Sequence, residues 1–191
     1  EEFLKTGTIR EVRPSELWYT SRTDFSPEAL GTELPAHKNT GFELLQGPAQ
    51  FDGEILGGCI DSMYEMFSGW RYGDMPEVCR NYGLFPSMDD WLGKILLMES
   101  CEEYMPPETY KKALETLQET GVFDAVSGVL VGKPMDDMYH EEYKKLLVET
   151  ISNKELPILC NINVGHAQPR CILPFGVPAH VDADAQVIRF G

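Results

Sequence analysis

Three runs of sequence decide the fold: G-K-I-L-L-M-E at 93–99, S-G-V-L-V-G-K at 127–133 and L-P-I-L-C-N-I-N-V-G-H at 156–166. Each is a short apolar run of the kind that forms a strand buried on both faces. Each leads to a side chain that can do chemistry, and these three, Glu99, Lys133 and His166, are set 34 and then 33 residues apart. The intervening stretches have helical periodicity. Tyr110, Ala113, Leu114 and Leu117 form one apolar stripe, opened by Pro106 and Pro107 and stopped at Gly121. Tyr139, Tyr143, Leu146, Leu147 and Ile151 form the other, and Pro157 prevents its continuation. A crossover long enough to hold a helix returns the chain to the same end of the sheet, so the three strands are parallel. Their carboxyl ends share one edge, where open α/β sheets place their sites. A carboxylate, an ammonium and an imidazole are expected to face one crevice, with Glu99 and His166 emerging side by side from neighbouring strands.

Working outward, F-D-G-E-I-L-G-G-C at 51–59 reads as a further strand reaching a Gly pair. Ile60, Met63, Tyr64 and Phe67 then recur as one helical face. Ser68 to Asp90 is rich in Gly, Pro and aromatics and reads as a loop or short irregular excursion. After His166, the run from Arg170 to Phe190 reads as antiparallel strands turning at Asp182 to Asp184. The fold class is therefore α/β, a mainly parallel sheet with crossover helices and a C-terminal antiparallel extension. Residues 1–45 read as an irregular arm carrying Trp18, Tyr19, Phe25 and Phe42, and 46–191 as the folded domain. Aromatics in such a loop need burial or a ligand, so a docked arm is expected rather than disorder. The chain starts at Glu1 rather than Met, as a fragment would.

The formal net charge of −15 argues against nucleic-acid binding, because phosphates would be repelled. Nothing approaches the ~18 consecutive apolar residues of a membrane span, and no signal segment opens the chain. The five cysteines, Cys59, Cys79, Cys101, Cys160 and Cys171, are odd in number and show no C-x-x-C spacing. No metal site, cofactor or disulfide framework is expected from them, and reduced thiols suit a cytoplasmic protein.

Glu99 closes an apolar run, so its carboxylate must reach water or a partner. A Glu accepting from one imidazole nitrogen fixes the tautomer of His166 and leaves the other nitrogen as a general base. A structural Glu–His pair, or a His that caps a turn, fits the same placement. Lys133 either binds a substrate anion as a point charge or is a solvated loop lysine. His37, His140 and His180 read as surface or packing residues. No serine sits in a G-x-S-x-G elbow. Cys59, near a helix start, is the one internal candidate nucleophile. Either the nucleophile lies outside this chain or the pair is not hydrolytic.

Four blocks resemble the LD-carboxypeptidase family of serine peptidases and its microcin-immunity branch. They are F-E-L-L-Q-G with G-E-I-L-G-G-C-I, then G-K-I-L-L-M-E-S, then G-V-L-V-G-K-P-M-D-D, and P-I-L-C-N-I-N-V-G-H-A-Q-P with I-L-P-F-G-V. The resemblance implies the swivelling β/β/α-like C-terminal domain of that family. It also implies a Ser-His-Glu triad in which Glu99 and His166 are two members and the serine comes from an N-terminal domain of the same polypeptide. The isolated chain is then expected to be inactive. The family's members trim murein tetrapeptides or cleave peptide–nucleotide and aminoacyl-nucleotide conjugates. G-G-C-I at 57–60 and the aromatic arm lean to the second branch. There, Phe25 falls near the place of an aromatic that stacks on the nucleobase, where Trp is usual, and Trp18 lies one short segment earlier. Lys133 falls in a family motif suited to a substrate anion, and a homodimer is the implied assembly. The competing class is a non-catalytic α/β domain that grips an anion with Lys133 and helix N-termini.

Overall fold

The computed structural model describes residues 2–191, the side chain of Glu2 excepted. Glu1, on which the reading of the chain as a fragment rests, lies outside the described residues. In chain order the strands are β1 (Glu11–Val12), β2 (Leu17–Tyr19), β3 (Ala36–Lys38), β4 (Glu43–Gln46), β5 (Gln50–Cys59), β6 (Ile95–Glu99), β7 (Gly128–Gly132), β8 (Ile158–Ile162), β9 (Pro178–Asp182) and β10 (Val187–Phe190). The helices are α1 (Glu2–Thr6), α2 (Ile60–Ser68), α3 (Met75–Tyr82), α4 (Met88–Trp91), α5 (Pro107–Thr120), α6 (Val122–Ala125) and α7 (His140–Thr150). Eight strands form one sheet in the order β1-β10-β9-β5-β6-β7-β8-β4.

The parallel core is β5-β6-β7-β8, as the apolar runs predict. Residues 95–98, 128–132 and 158–162 are buried throughout, so both faces of these strands are covered. Leu96, Met98, Val129, Val131, Ile158 and Cys160 pack on one side against Ile60, Leu114, Leu117, Phe123 and Leu147 from the helices. Ile95, Leu97, Leu130 and Leu159 face the other way, against Val12, Phe42, Phe51, Val181 and Ile188. Tyr110 of α5 stacks on Tyr143 of α7 at 4.0 Å between ring centroids, a pairing worth about 0.5–1.5 kcal/mol beyond its burial. The antiparallel extension is present as expected, with β9 and β10 joined across the turn after Asp182.

β5 holds these parts together. Its residues 50–54 pair antiparallel with β9, and 55–59 pair parallel with β6. A single strand thereby joins the extension to the parallel core.

Two stretches differ from the sequence expectation. The arm is not irregular throughout: β1 closes one edge of the sheet on β10, and β4 closes the other on β8. Strands of two to four residues carry too little alternation to be read. The Ser68–Asp90 excursion holds two helices. α3 has Pro76 in its first turn and Gly83 as its left-handed cap. α4 opens with a reciprocal capping box between Ser87 and Asp90. Those local signals outweigh the loop-like composition.

Candidate active site

Glu99 ends β6, Lys133 follows β7 by one residue, and His166 sits on the turn four residues beyond β8. His166 Nδ1 lies 2.8 Å from Glu99 Oε2, with the Glu99 side chain only 11% exposed and the ring 32% exposed. The two do not leave neighbouring strands, because β7 lies between β6 and β8. Two strand spacings are about 9.5 Å, so the chain must bring them together some other way.

Glycines at two positions do so. A Cβ on Gly132, at the end of the intervening β7, would lie 2.8 Å from Glu99 Cβ. A Cβ on Gly165 would lie 2.7 Å from the same atom and would overlap the carboxylate. Glu99 therefore passes over Gly132 and is met by the turn carrying His166. Gly165 also has φ +82°, a backbone state that costs a residue with a side chain about 1–2 kcal/mol. Gly165→Ala is expected to destabilise the fold by roughly that amount. In a longer polypeptide that supplies the nucleophile it should also lower turnover more than tenfold by pushing Glu99 off the ring. Urea melts and initial rates on one preparation check both, and unchanged rates would remove Gly165 from the positioning role.

The Glu99 carboxylate selects the tautomer of the neutral ring. Nδ1–H donates to Glu99, and Nε2 points the other way. There it meets Glu102 Oε2 at 2.9 Å, from a side chain 61% exposed. A carboxylate accepts only from a protonated nitrogen, so that contact belongs to the charged ring. The neutral ring, the form that acts as a base, has no proton to give Glu102 and its Nε2 is free to accept one.

The arm lies over the same edge. Asn161, fully buried at φ +65°, donates to Asn39 Oδ1, Thr40 Oγ1 and the Gly41 carbonyl. Asn163 Oδ1 accepts from the Ser15 N–H, and the Tyr19 N–H donates to the Gln168 carbonyl. The β2–β3 hairpin is thus held by the strand end and turn that place His166.

Lys133 is 4% exposed, and its Nζ reaches Asp137 Oδ1 at 2.5 Å. The ammonium sits 4.5 Å from the centre of the Trp18 ring, a cation–π contact, and Trp18 stacks on His37 at 4.2 Å. His140 Nδ1 reaches the same Asp137 oxygen at 2.9 Å. Burial alone would raise Asp137, but the hydrogen bonds from His140 and Lys133 outweigh it and hold its carboxyl down at about 2. Asp136 accepts from the Ser21 N–H at 2.6 Å and from the Tyr104 hydroxyl at 2.5 Å. That bond, then burial, pushes the Tyr104 phenol up to about 12. Asp136, Asp137 and Tyr139 all have φ between +55° and +61°, strained states that cost about 1–3 kcal/mol each. The loop after β7 is bent to present these carboxylates.

The expected residues thus form two pairs at one edge, Glu99 with His166 and Lys133 with Trp18. Phe25 stands apart at 79% exposure. Lys133 is no solvated loop lysine, and His37 and His140 belong to its surroundings. Asp136, Asp137, Tyr104 and Glu102 carry no spacing signal in the sequence. The one available signal was the M-D-D run directly after G-K-P. Cys59 is a poor nucleophile: burial, then the nearby Asp61 and Glu99 carboxylates, push its thiol up to about 12. Its S–H instead points to Asp61 Oδ2 at 3.5 Å. Cys59, Asp61 and Cys101 lie together, their ligand atoms within 4.8 Å of one another.

Residues 52–181 match the model of the LD-carboxypeptidase C-terminal domain. The chain belongs to the LD-carboxypeptidase family. Among solved structures, an MccF-like protein from Streptococcus pneumoniae in complex with AMP is 56% identical with a TM-score of 0.96. The alignment covers all of this chain and 55% of that one. The microcin C7 self-immunity protein MccF of Escherichia coli is 25% identical over 141 residues, 72% of this chain and 36% of that protein. MccF in complex with glutamyl sulfamoyl guanosine has the same fold, with a TM-score of 0.69 at 22% identity, over 95% of this chain and 49% of that one. This LD-carboxypeptidase domain therefore spans about half or less of the length of these relatives. Among the described residues, no helix is long and apolar enough to cross a membrane.

Proposed function

We propose that this domain supplies the base and its orienting carboxylate to a Ser-His-Glu hydrolase whose serine lies in an N-terminal domain of the same polypeptide. The observation that carries the reading is the 2.8 Å contact between His166 Nδ1 and Glu99, which leaves Nε2 for a nucleophile. In this scheme the serine hydroxyl takes the place of Glu102 at Nε2 and attacks the scissile carbonyl. His166 accepts its proton and later gives that proton to the leaving amine, while Glu99 stabilises the imidazolium. By itself the domain has no hydrolytic activity.

The substrate we propose is a peptide–nucleotide or aminoacyl-nucleotide conjugate, hydrolysed in the cytoplasm by a homodimer. Support comes from Lys133, an ammonium suited to a carboxylate or phosphate, set beside the stacked rings of Trp18 and His37. The S. pneumoniae relative, solved in complex with AMP, supports it too. Trp18 is held between His37 and the Lys133 ammonium, so the exposed Phe25 is the ring of the two with a face open for stacking. A second reading, trimming of murein tetrapeptides, is favoured by the family match itself. The test is a side-by-side assay of aspartyl sulfamoyl adenosine and a murein tetrapeptide, using the polypeptide with its serine-bearing domain and then the 191-residue chain alone. The longer polypeptide is expected to prefer the nucleotide conjugate and the isolated chain to be inert. Preference for the tetrapeptide selects the second reading. Robust hydrolysis by the isolated chain sinks the divided triad. A serine-directed fluorophosphonate that neither labels nor inhibits the longer polypeptide leaves only an anion-binding domain.

A further inference from the structure

We propose that Cys59, Asp61 and Cys101 form a binding site for a thiophilic divalent cation, Zn2+ above all, on the side of Glu99 away from His166. Cys59 ends β5, directly opposite Glu99 in the β5–β6 ladder, and Cys101 lies two residues beyond Glu99. Asp61 is in the first turn of α2 and is only 3% exposed. One of its oxygens faces both cysteines, accepting the Cys101 N–H at 3.1 Å and the weak S–H of Cys59 at 3.5 Å. All three ligand atoms lie within 4.8 Å of one another. Tetrahedral zinc with bonds of about 2.3 Å to sulfur and 2.0–2.2 Å to oxygen needs them about 3.5–3.8 Å apart, a side-chain adjustment of about 1 Å.

The donor set chooses the metal. Two thiolates and one carboxylate suit zinc and exclude magnesium or calcium, which take oxygen ligands. The three ligands carry three negative charges and the metal neutralises two, while the Arg71 guanidinium, which also pairs with Glu103, is hydrogen-bonded to Cys101. Each thiol gives its proton to solvent as its sulfur bonds the metal. The fourth position is left for water. The cysteines lie 42 residues apart, so no sequence motif announces the site. It rests on these three side chains and not on the triad, and its tests read metal rather than hydrolysis.

The experiment loads the reduced protein with Zn2+, removes the excess and counts retained metal, then repeats the titration with Co2+. One zinc per chain and a thiolate-to-cobalt charge-transfer band are expected. Cys59→Ser and Cys101→Ser should each abolish both, and Cys79→Ala and Cys171→Ala should keep both. X-ray absorption on the unmutated zinc protein needs no variant and should report two sulfurs with oxygen completing the shell. A shell without sulfur, a band that survives Cys59→Ser, or a fully reduced protein that retains no zinc overturns the proposal. So does a Cys59–Cys101 disulfide whose reduction yields thiols that still take up no metal.

Discussion

Replacing His166 with Ala, in a polypeptide that carries the proposed serine-bearing domain, is expected to lower kcat by about ten-thousandfold or more while leaving the fold intact. In the proposed triad Nε2 of this ring takes the serine proton, and Nδ1 is already committed to Glu99. It is 32% exposed on a turn rather than packed in a core, so its loss removes little buried surface. KM should change far less than kcat, because the base acts on the transition state and not on the bound substrate. The measurement is steady-state kinetics beside a thermal melt. A variant that keeps more than a tenth of wild-type turnover would show that His166 is a structural residue. Fluorophosphonate labelling should slow in parallel, since the probe needs the same activated serine.

Glu99→Gln is the second large effect, a fall of about a thousand- to ten-thousandfold in kcat. Gln matches the volume of the slot above Gly132 and against Gly165, so neither glycine meets a larger side chain. Its amide is neutral and cannot stabilise an imidazolium. It can also rotate its NH2 toward Nδ1, which selects the wrong tautomer. Burying an amide in place of a charge costs little, so the melting temperature should stay close to wild type. A rise in KM at constant kcat would assign Glu99 to substrate binding instead. In the proposed triad Glu99 acts through His166, so the double variant should be scarcely slower than His166→Ala alone.

The parallel core was legible because strands covered on both faces must be apolar throughout, and few other structures explain three such runs. The stripe at Tyr110, Ala113, Leu114 and Leu117 was legible for the same reason: all four are buried in α5. Strand ends then named Glu99, Lys133 and His166. Hidden from the sequence was everything set by loops. The order of the strands puts β7 between the carriers of Glu99 and His166, and Gly132 makes the crossing possible. Asp136 and Asp137 owe their direction to left-handed backbone states that no periodicity encodes. β1 and β4 are too short to show a pattern, and their pairing depends on partners more than 100 residues away. Asn161 and Asn163 sit within a strand-like run, yet their amides, not their backbones, dock the arm.

The two glycines around Glu99 have a use beyond this one chain. In a decayed paralogue, substitution at 132 or 165 would leave the acid and the imidazole in place on paper while prising them apart in space. Gene products of this kind would look intact to any search for the reactive pair and still be impaired. Inspecting those two silent positions first offers a cheap way to sort working hydrolases from pseudoenzymes before any assay is run.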